Sequence, residues 1–150
     1  MTIDALLLFD PTGTNITVTA PSTNVLDLGG PRDMGVGDNI PKIEIVIQQS
    51  FAAVGAATLN VHIQSSVDNI TWSTLAESSP IAVANLTVGR QILGIDLPTD
   101  QPAQTAGIGR YLRLNYVVAS GPFTAGQVLA ALVLNRPNPT AYASGFNPAN

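Results

Sequence analysis

Apolar and polar side chains alternate along much of this chain with a period of two. In Thr58–Ser66, Leu59, Val61 and Ile63 point one way and Asn60, His62 and Gln64 the other, the pattern of a half-buried strand. Arg110–Val118 repeats it, with Leu112, Leu114, Tyr116 and Val118 inward and Arg113 and Asn115 outward. Lys42–Gln48 sets Ile43, Ile45 and Ile47 against Lys42, Glu44 and Gln48. Gln127–Asn135 is apolar on both faces (Val128, Leu129, Leu132, Val133, Leu134), as in a strand covered on two sides. Weaker strand segments are Val25–Leu28, Trp72–Ala76, Ile81–Val83 and Gln91–Leu97. No stretch keeps apolar residues at helical spacing between caps, so almost no helix is predicted.

Turn chemistry falls between these runs: Gly29-Gly30-Pro31, Asp68-Asn69, Ser79-Pro80, Leu97-Pro98, Gly107 to Gly109 and Ser120-Gly121-Pro122. About eight short strands separated by such turns predict an all-β fold, an antiparallel β-sandwich or jelly roll, which buries its inward rows and limits exposed edges. A length of 150 residues with no repeat and no change of composition predicts one domain over 1–150. Extended arms are expected near 1–21, where Asp10 to Pro21 is rich in Thr and Asn, and at 136–150, which carries three prolines.

Composition narrows the function. Charged residues make up 11% of the chain, against roughly 25% in ordinary soluble domains, which suits a surface packed against other proteins. A net charge of −4 with six basic residues cannot line a phosphate backbone, so no nucleic-acid partner is expected. The charge is uneven: residues 1–77 hold eight acids against Arg32 and Lys42, whereas 78–150 hold Asp96 and Asp100 against four arginines. That split is either scatter or a pair of complementary patches that orient the protein against a neighbour. The longest unbroken apolar run, Val128–Leu134, is too short to span a bilayer, and Ala5–Phe9 near the start lacks the basic flank of a signal peptide, so synthesis in the cytoplasm and no membrane partner are expected.

Candidate chemistry is thin. Without cysteine there is neither a thiolate metal site nor a cysteine nucleophile. His62 is the single histidine and cannot by itself assemble a metal site or sustain a serine triad, so no catalytic residue, metal or cofactor is assigned. Trp72, the lone tryptophan, is expected to fill the core rather than to stack a sugar. Three Asn-x-Thr sequons, at Asn15, Asn69 and Asn85, carry no meaning without a signal peptide. The most distinctive local feature runs from Asp27 to Asp38, where glycines permit close backbone approach. It matches no calcium or phosphate loop and reads as a tight loop held by polar contacts.

Several segments together resemble a known family. They are Leu6-Leu7-Leu8-Phe9-Asp10, Thr17-Val18-Thr19-Ala20, Ser22-Thr23-Asn24-Val25-Leu26-Asp27-Leu28-Gly29 and Arg32-Asp33-Met34-Gly35-Val36-Gly37. Later come Arg110-Tyr111-Leu112-Arg113-Leu114-Asn115-Tyr116, Phe123-Thr124-Ala125-Gly126 and Tyr142-Ala143-Ser144-Gly145-Phe146. The chain resembles, over nearly its whole length, the jelly-roll capsid cement (decoration) proteins of short-tailed bacteriophages. That resemblance implies a non-enzymatic virion protein, a homotrimer bound to the major capsid protein on the outer shell where capsomers meet. The loop Gly29–Asp38 and the termini are then the contact regions, with Arg32, Asp33, Tyr142 and Phe146 the candidate contact residues, of which Arg32, Tyr142 and Phe146 are the Arg and aromatic types that interfaces favour.

Two rival readings differ in class. A carbohydrate- or host-receptor-binding module of a phage tail would share the sandwich but calls for exposed aromatics, and aromatics are 5% of this chain. A jelly-roll enzyme would need the histidine cluster that is missing. A chain ending at Asn135 is expected to fold normally and to bind capsids poorly in a co-sedimentation assay; undiminished binding would remove the Arg136–Asn150 arm from the interface.

Overall fold

Among the described residues alternating sequences pair into ten strands: β1 (Leu8–Asn15), β2 (Ala20–Pro21), β3 (Leu26–Asp27), β4 (Lys42–Ala53), β5 (Thr58–Ser66), β6 (Ser73–Glu77), β7 (Ile81–Ala82), β8 (Gln91–Asp96), β9 (Tyr111–Ala119) and β10 (Phe123–Val133). The computed structural model describes residues 4–30, 41–89, 91–97 and 108–133, with residues 91–96 described through their backbone. All pairings are antiparallel. One sheet has the order β1-β10-β4-β8; the other has β2-β9-β5-β6, with β3 continuing β2 along β9 and β7 continuing β6 along β5. The ten strands therefore occupy eight positions, two of them split. Numbered along the chain, those positions run 1-8-3-6 in one sheet and 2-7-4-5 in the other, the jelly-roll order of two interlocked Greek keys.

The rows expected to face inward do so. Leu59, Val61 and Ile63 of β5, Leu112, Leu114 and Tyr116 of β9, Ile43, Ile45 and Ile47 of β4, and Val128, Ala130 and Leu132 of β10 form one buried cluster between the sheets. Each large side chain so buried contributes about 1.5–3 kcal/mol of transfer free energy. β10 is covered on its other face as well: Ala131 and Val133 are buried outside that cluster, and across from Ala131 sits Glu44, only 3% exposed.

Two stitches close the sides of the sandwich. On one side Ser22 donates its N–H to the Leu114 carbonyl, and Asn24 donates its N–H to Phe9 and its side-chain amide to Leu8. On the other side the segment 83–89 crosses between sheets, where Leu86 accepts from the Phe51 N–H and Gly89 donates to Ile47. The most telling contact lies inside the first stitch. Asp10 of β1 is fully buried and accepts from the Thr23 N–H (2.8 Å), the Thr23 hydroxyl (2.8 Å) and the Tyr116 hydroxyl (2.6 Å). Tyr116 belongs to the opposite sheet, so this carboxylate joins the two layers.

Two expectations are corrected here. Residues 8–21 are not an arm: β1 and β2 are sheet strands, and two β-bulges next to Asp10 turn its carboxylate inward, giving Asp-Pro-Thr-Gly a loop-like sequence inside a strand. The last strand starts at Phe123 rather than Gln127, because Thr124-Ala125-Gly126 forms a bulge and not a turn. Gly126 has φ +149°, and a Cβ there would lie 2.6 Å from Phe51 Cε1, so the Phe51 ring occupies its place while meeting Phe123 edge-on at 4.9 Å. The arm expected at 136–150 lies outside the described residues.

Burial, and the Asp10 carboxylate beside it, raise the Tyr116 pKa well above its ordinary value of 10.0. The folded chain thus keeps a proton that the unfolded chain releases. The resulting stability is complete below about pH 10 and falls as pH climbs from there toward the folded value. Tyr116→Phe is expected to cost about 1–2 kcal/mol at neutral pH and to flatten this alkaline decline in urea melts followed against pH. Asp10→Asn, which turns an acceptor into a donor facing donors, is expected to cost about 2–4 kcal/mol.

Candidate functional site

Strand register brings a particular set of ends together at one rim of the sandwich. Lys42, which starts β4, sits opposite Val133, the last residue of β10, and opposite Asp96, the last of β8. Leu8, at the start of β1, pairs with Ala131 nearby. In the other sheet Tyr111, the first residue of β9, pairs with Asp27 at the end of β3 and with Ser66 at the end of β5. The opposite end carries the loops with the exposed Val18, Val54 and Val88.

Between β5 and β6 the rim is formed by a self-braced turn. The Ser66 hydroxyl donates to Asp68 and accepts from the Asp68 and Asn69 N–H groups, while Asp68 Oδ1 accepts from Ile70 and Thr71. The Thr71 and Ile70 amides, and then the Ser66 hydroxyl, hold the Asp68 carboxyl down at about 2. Asn69 takes φ 60°, which its short polar side chain tolerates. This brace holds out two apolar side chains, Val67 at 66% and Ile70 at 82% exposure. Gly109 enters the rim beside it. A Cβ there would lie 2.5 Å from the Ser66 carbonyl, and its N–H donates to Ser65 Oγ, so only glycine fits.

At the same rim Arg110 forks onto Asp27, Nε to Oδ1 and Nη2 to Oδ2, each at 2.7 Å. Asp27 also accepts from the Gly29 N–H. Arg110, and after it the Gly29 amide, hold the Asp27 carboxyl at about 2, and the same pairing raises Arg110. The Arg110 guanidinium lies 5.0 Å from the Tyr111 ring centroid.

The outer face of the β9–β5–β6 sheet carries a second arginine on an aromatic ring. Arg113 lies 4.0 Å over Trp72, its Nε donating to Gln64 Oε1 at 2.8 Å, and Gln64 Nε2 reaches Thr74 Oγ1 at 3.4 Å. Trp72 is therefore a surface residue and not core filler. The turn of residues 66–72 carries the chain outside the sandwich and returns it on the outer face, and Leu75 takes the inward place. Farther along, His62 Nε2 stands 3.1 Å from both Glu77 Oε2 and the Asn60 side-chain amide. Protonated, that nitrogen donates to Glu77; bare, it accepts from Asn60. Among the described residues no three His, Cys, Asp or Glu side chains converge as a metal site would require.

Of the contact residues expected from sequence, Arg32, Asp33, Tyr142 and Phe146 all lie outside the described residues. The residues that flank those segments, Asp27 and Lys42 on one side and Val133 on the other, all stand at the rim. Sequence reasoning missed the Arg113–Trp72 pair. Its signal was the parity that sets Arg113 outward, combined with the Asp68-Asn69 turn that decides where Trp72 lands.

A family model described as Bbp16 matches residues 11–132, from within β1 nearly to the end of β10. No curated protein matches the sequence.

The Asp27–Arg110 fork is testable by carboxyl-detected NMR. Asp27 should titrate near 2 in the native chain and move back toward 3.8 in Arg110→Gln. Because the folded value is depressed, the pair's stabilisation is present above the ordinary value and is lost as pH falls toward 2. An unshifted Asp27 would mean that the fork does not persist in solution.

Proposed function

The chain belongs to the Bbp16 family, a phage-related one, and on that premise we propose that it is a structural virion protein that binds the outer surface of a phage capsid at capsomer junctions and stabilises the shell. The observation that carries this reading is the convergence at one rim. The strand ends flanking residues 31–40 and the segment after Val133 meet there, beside the exposed Val67 and Ile70 on their braced turn. Apolar side chains carried on a backbone already braced leave less of the chain to order on docking, which suits a contact repeated many times over a shell. Its partners in this reading are the major capsid protein and further copies of itself, a trimer being the form that the resemblance implies. No catalytic step or cofactor enters the role.

Trp72, displaced from the core to the surface, is the one observation that favours a glycan-binding alternative, but Arg113 already covers one face of its ring.

Quantitative mass spectrometry of purified virions tests the proposal. A copy number comparable with that of the major capsid protein is expected. A few copies per particle would place the chain on the tail, and absence from virions would end the structural reading.

A further inference from the structure

Two arginines lie over aromatic rings, Arg110 just before β9 and Arg113 within it, and they differ in one respect. Arg110 has its carboxylate, Asp27, gripped by both ends of the fork at 2.7 Å. Arg113 is held too, over Trp72 and tied through Nε to Gln64, yet no carboxylate among the described residues meets it. Its terminal nitrogens make no hydrogen bond among those residues, and burial lowers its pKa, as happens when a guanidinium loses water without gaining an anion. Holding an arginine in one rotamer costs side-chain entropy in the free chain. Here that ordering is already made, by a cation–π contact and a neutral amide, with the two terminal nitrogens met by no described residue.

We propose that Arg113, on its Trp72 platform, is a preformed receptor for a carboxylate, and that the group it receives is an Asp or Glu side chain of a neighbouring protein in the assembled shell. The identity of the neighbour rests on the capsid-binding role; the receptor itself rests on the geometry alone. Among the described residues the platform stands on a sheet face, which suits a broad protein partner better than a small ligand. It lies two residues along β9 from Tyr111 at the rim, so it continues the surface already assigned to contact. Arginine and tryptophan are also the side chains that most often dominate binding at such surfaces. Arg110 with Asp27 shows, within this molecule, the geometry that the incoming carboxylate would adopt.

Two measurements test this on the full-length chain. The first is binding of Arg113→Gln and Arg113→Lys to capsids stripped of the native protein, with thermal midpoints confirming that both variants fold. Arg113→Gln is expected to weaken binding about tenfold or more and to reduce its salt dependence. Arg113→Lys should recover only part of the loss, because a point charge cannot replace the fork. Wild-type affinity in Arg113→Gln would overturn the proposal. The second uses the free chain and a blocked Gly-Glu-Gly peptide at millimolar concentration, following the Arg113 Nε–Hε resonance by NMR. A saturable shift supports the receptor even if capsid binding by the native chain fails, an outcome that would remove the shell role alone. No shift would overturn the receptor. Binding to sialylated or uronate glycans that is lost in Arg113→Gln, with capsid binding unchanged, would overturn the protein partner in favour of a sugar.

Discussion

A buried carboxylate is costly unless every lone pair that faces the interior finds a donor. Asp10 meets that condition with three donors, none from its own strand. The arrangement constrains everything around it. β1 must bulge to aim the side chain inward, the Ser22–Asn24 segment must cross between layers to bring Thr23, and β9 must place Tyr116 opposite. Apolar rows alone would let two sheets slide over one another, since hydrophobic contact has no direction. The Asp10 cluster supplies direction and fixes how one layer sits on the other.

The sheets were legible where one physical term dominated. Leu59-x-Val61-x-Ile63 is buried on one face and polar on the other, so its strand, Thr58–Ser66, has the same limits in sequence and in structure. β1 was hidden because its buried positions include Asp10 and its strand contains Pro11 and Gly13, residues that signal a loop until Tyr116 and Thr23 stand beside them. The start of β10 was hidden for a related reason: Gly126 looks like a turn residue, but what it accommodates is the Phe51 ring, seventy-five positions earlier in the sequence. For Trp72 hydrophobicity alone favours the core, whereas the Asp68 turn sets its direction outward. Of the candidate surface, the outward parity of Arg113 was readable; its ring partner and the open side of its fork were not.

The uneven charge of the chain acquires a partial physical account. Asp27 from the acidic half is spent on Arg110 from the basic half, Asp68 on its own turn, and Asp10 inside the core. Asp27 is thereby neutralised by a counter-ion, whereas Asp68 keeps its charge, its lone pairs taken up by neutral amide and hydroxyl donors. With charged residues only 11% of the chain, recognition rests more on close polar contact than on a long-range field.

The pairing of the first strand with the last has a kinetic side. β1 cannot find its place until β10 exists, since Leu8 lies against Ala131, and the Asp10 cluster waits likewise for Tyr116. Contacts so distant in sequence form slowly, because the loop-closure entropy must be overcome before the contacts reward it. On the ribosome, β4 and β5 emerge long before their neighbours β10 and β9 and pass through a period with unpaired backbone edges. Synthesis of this protein therefore runs ahead of its folding, and the hazard of strand-edge association falls in the interval between the two.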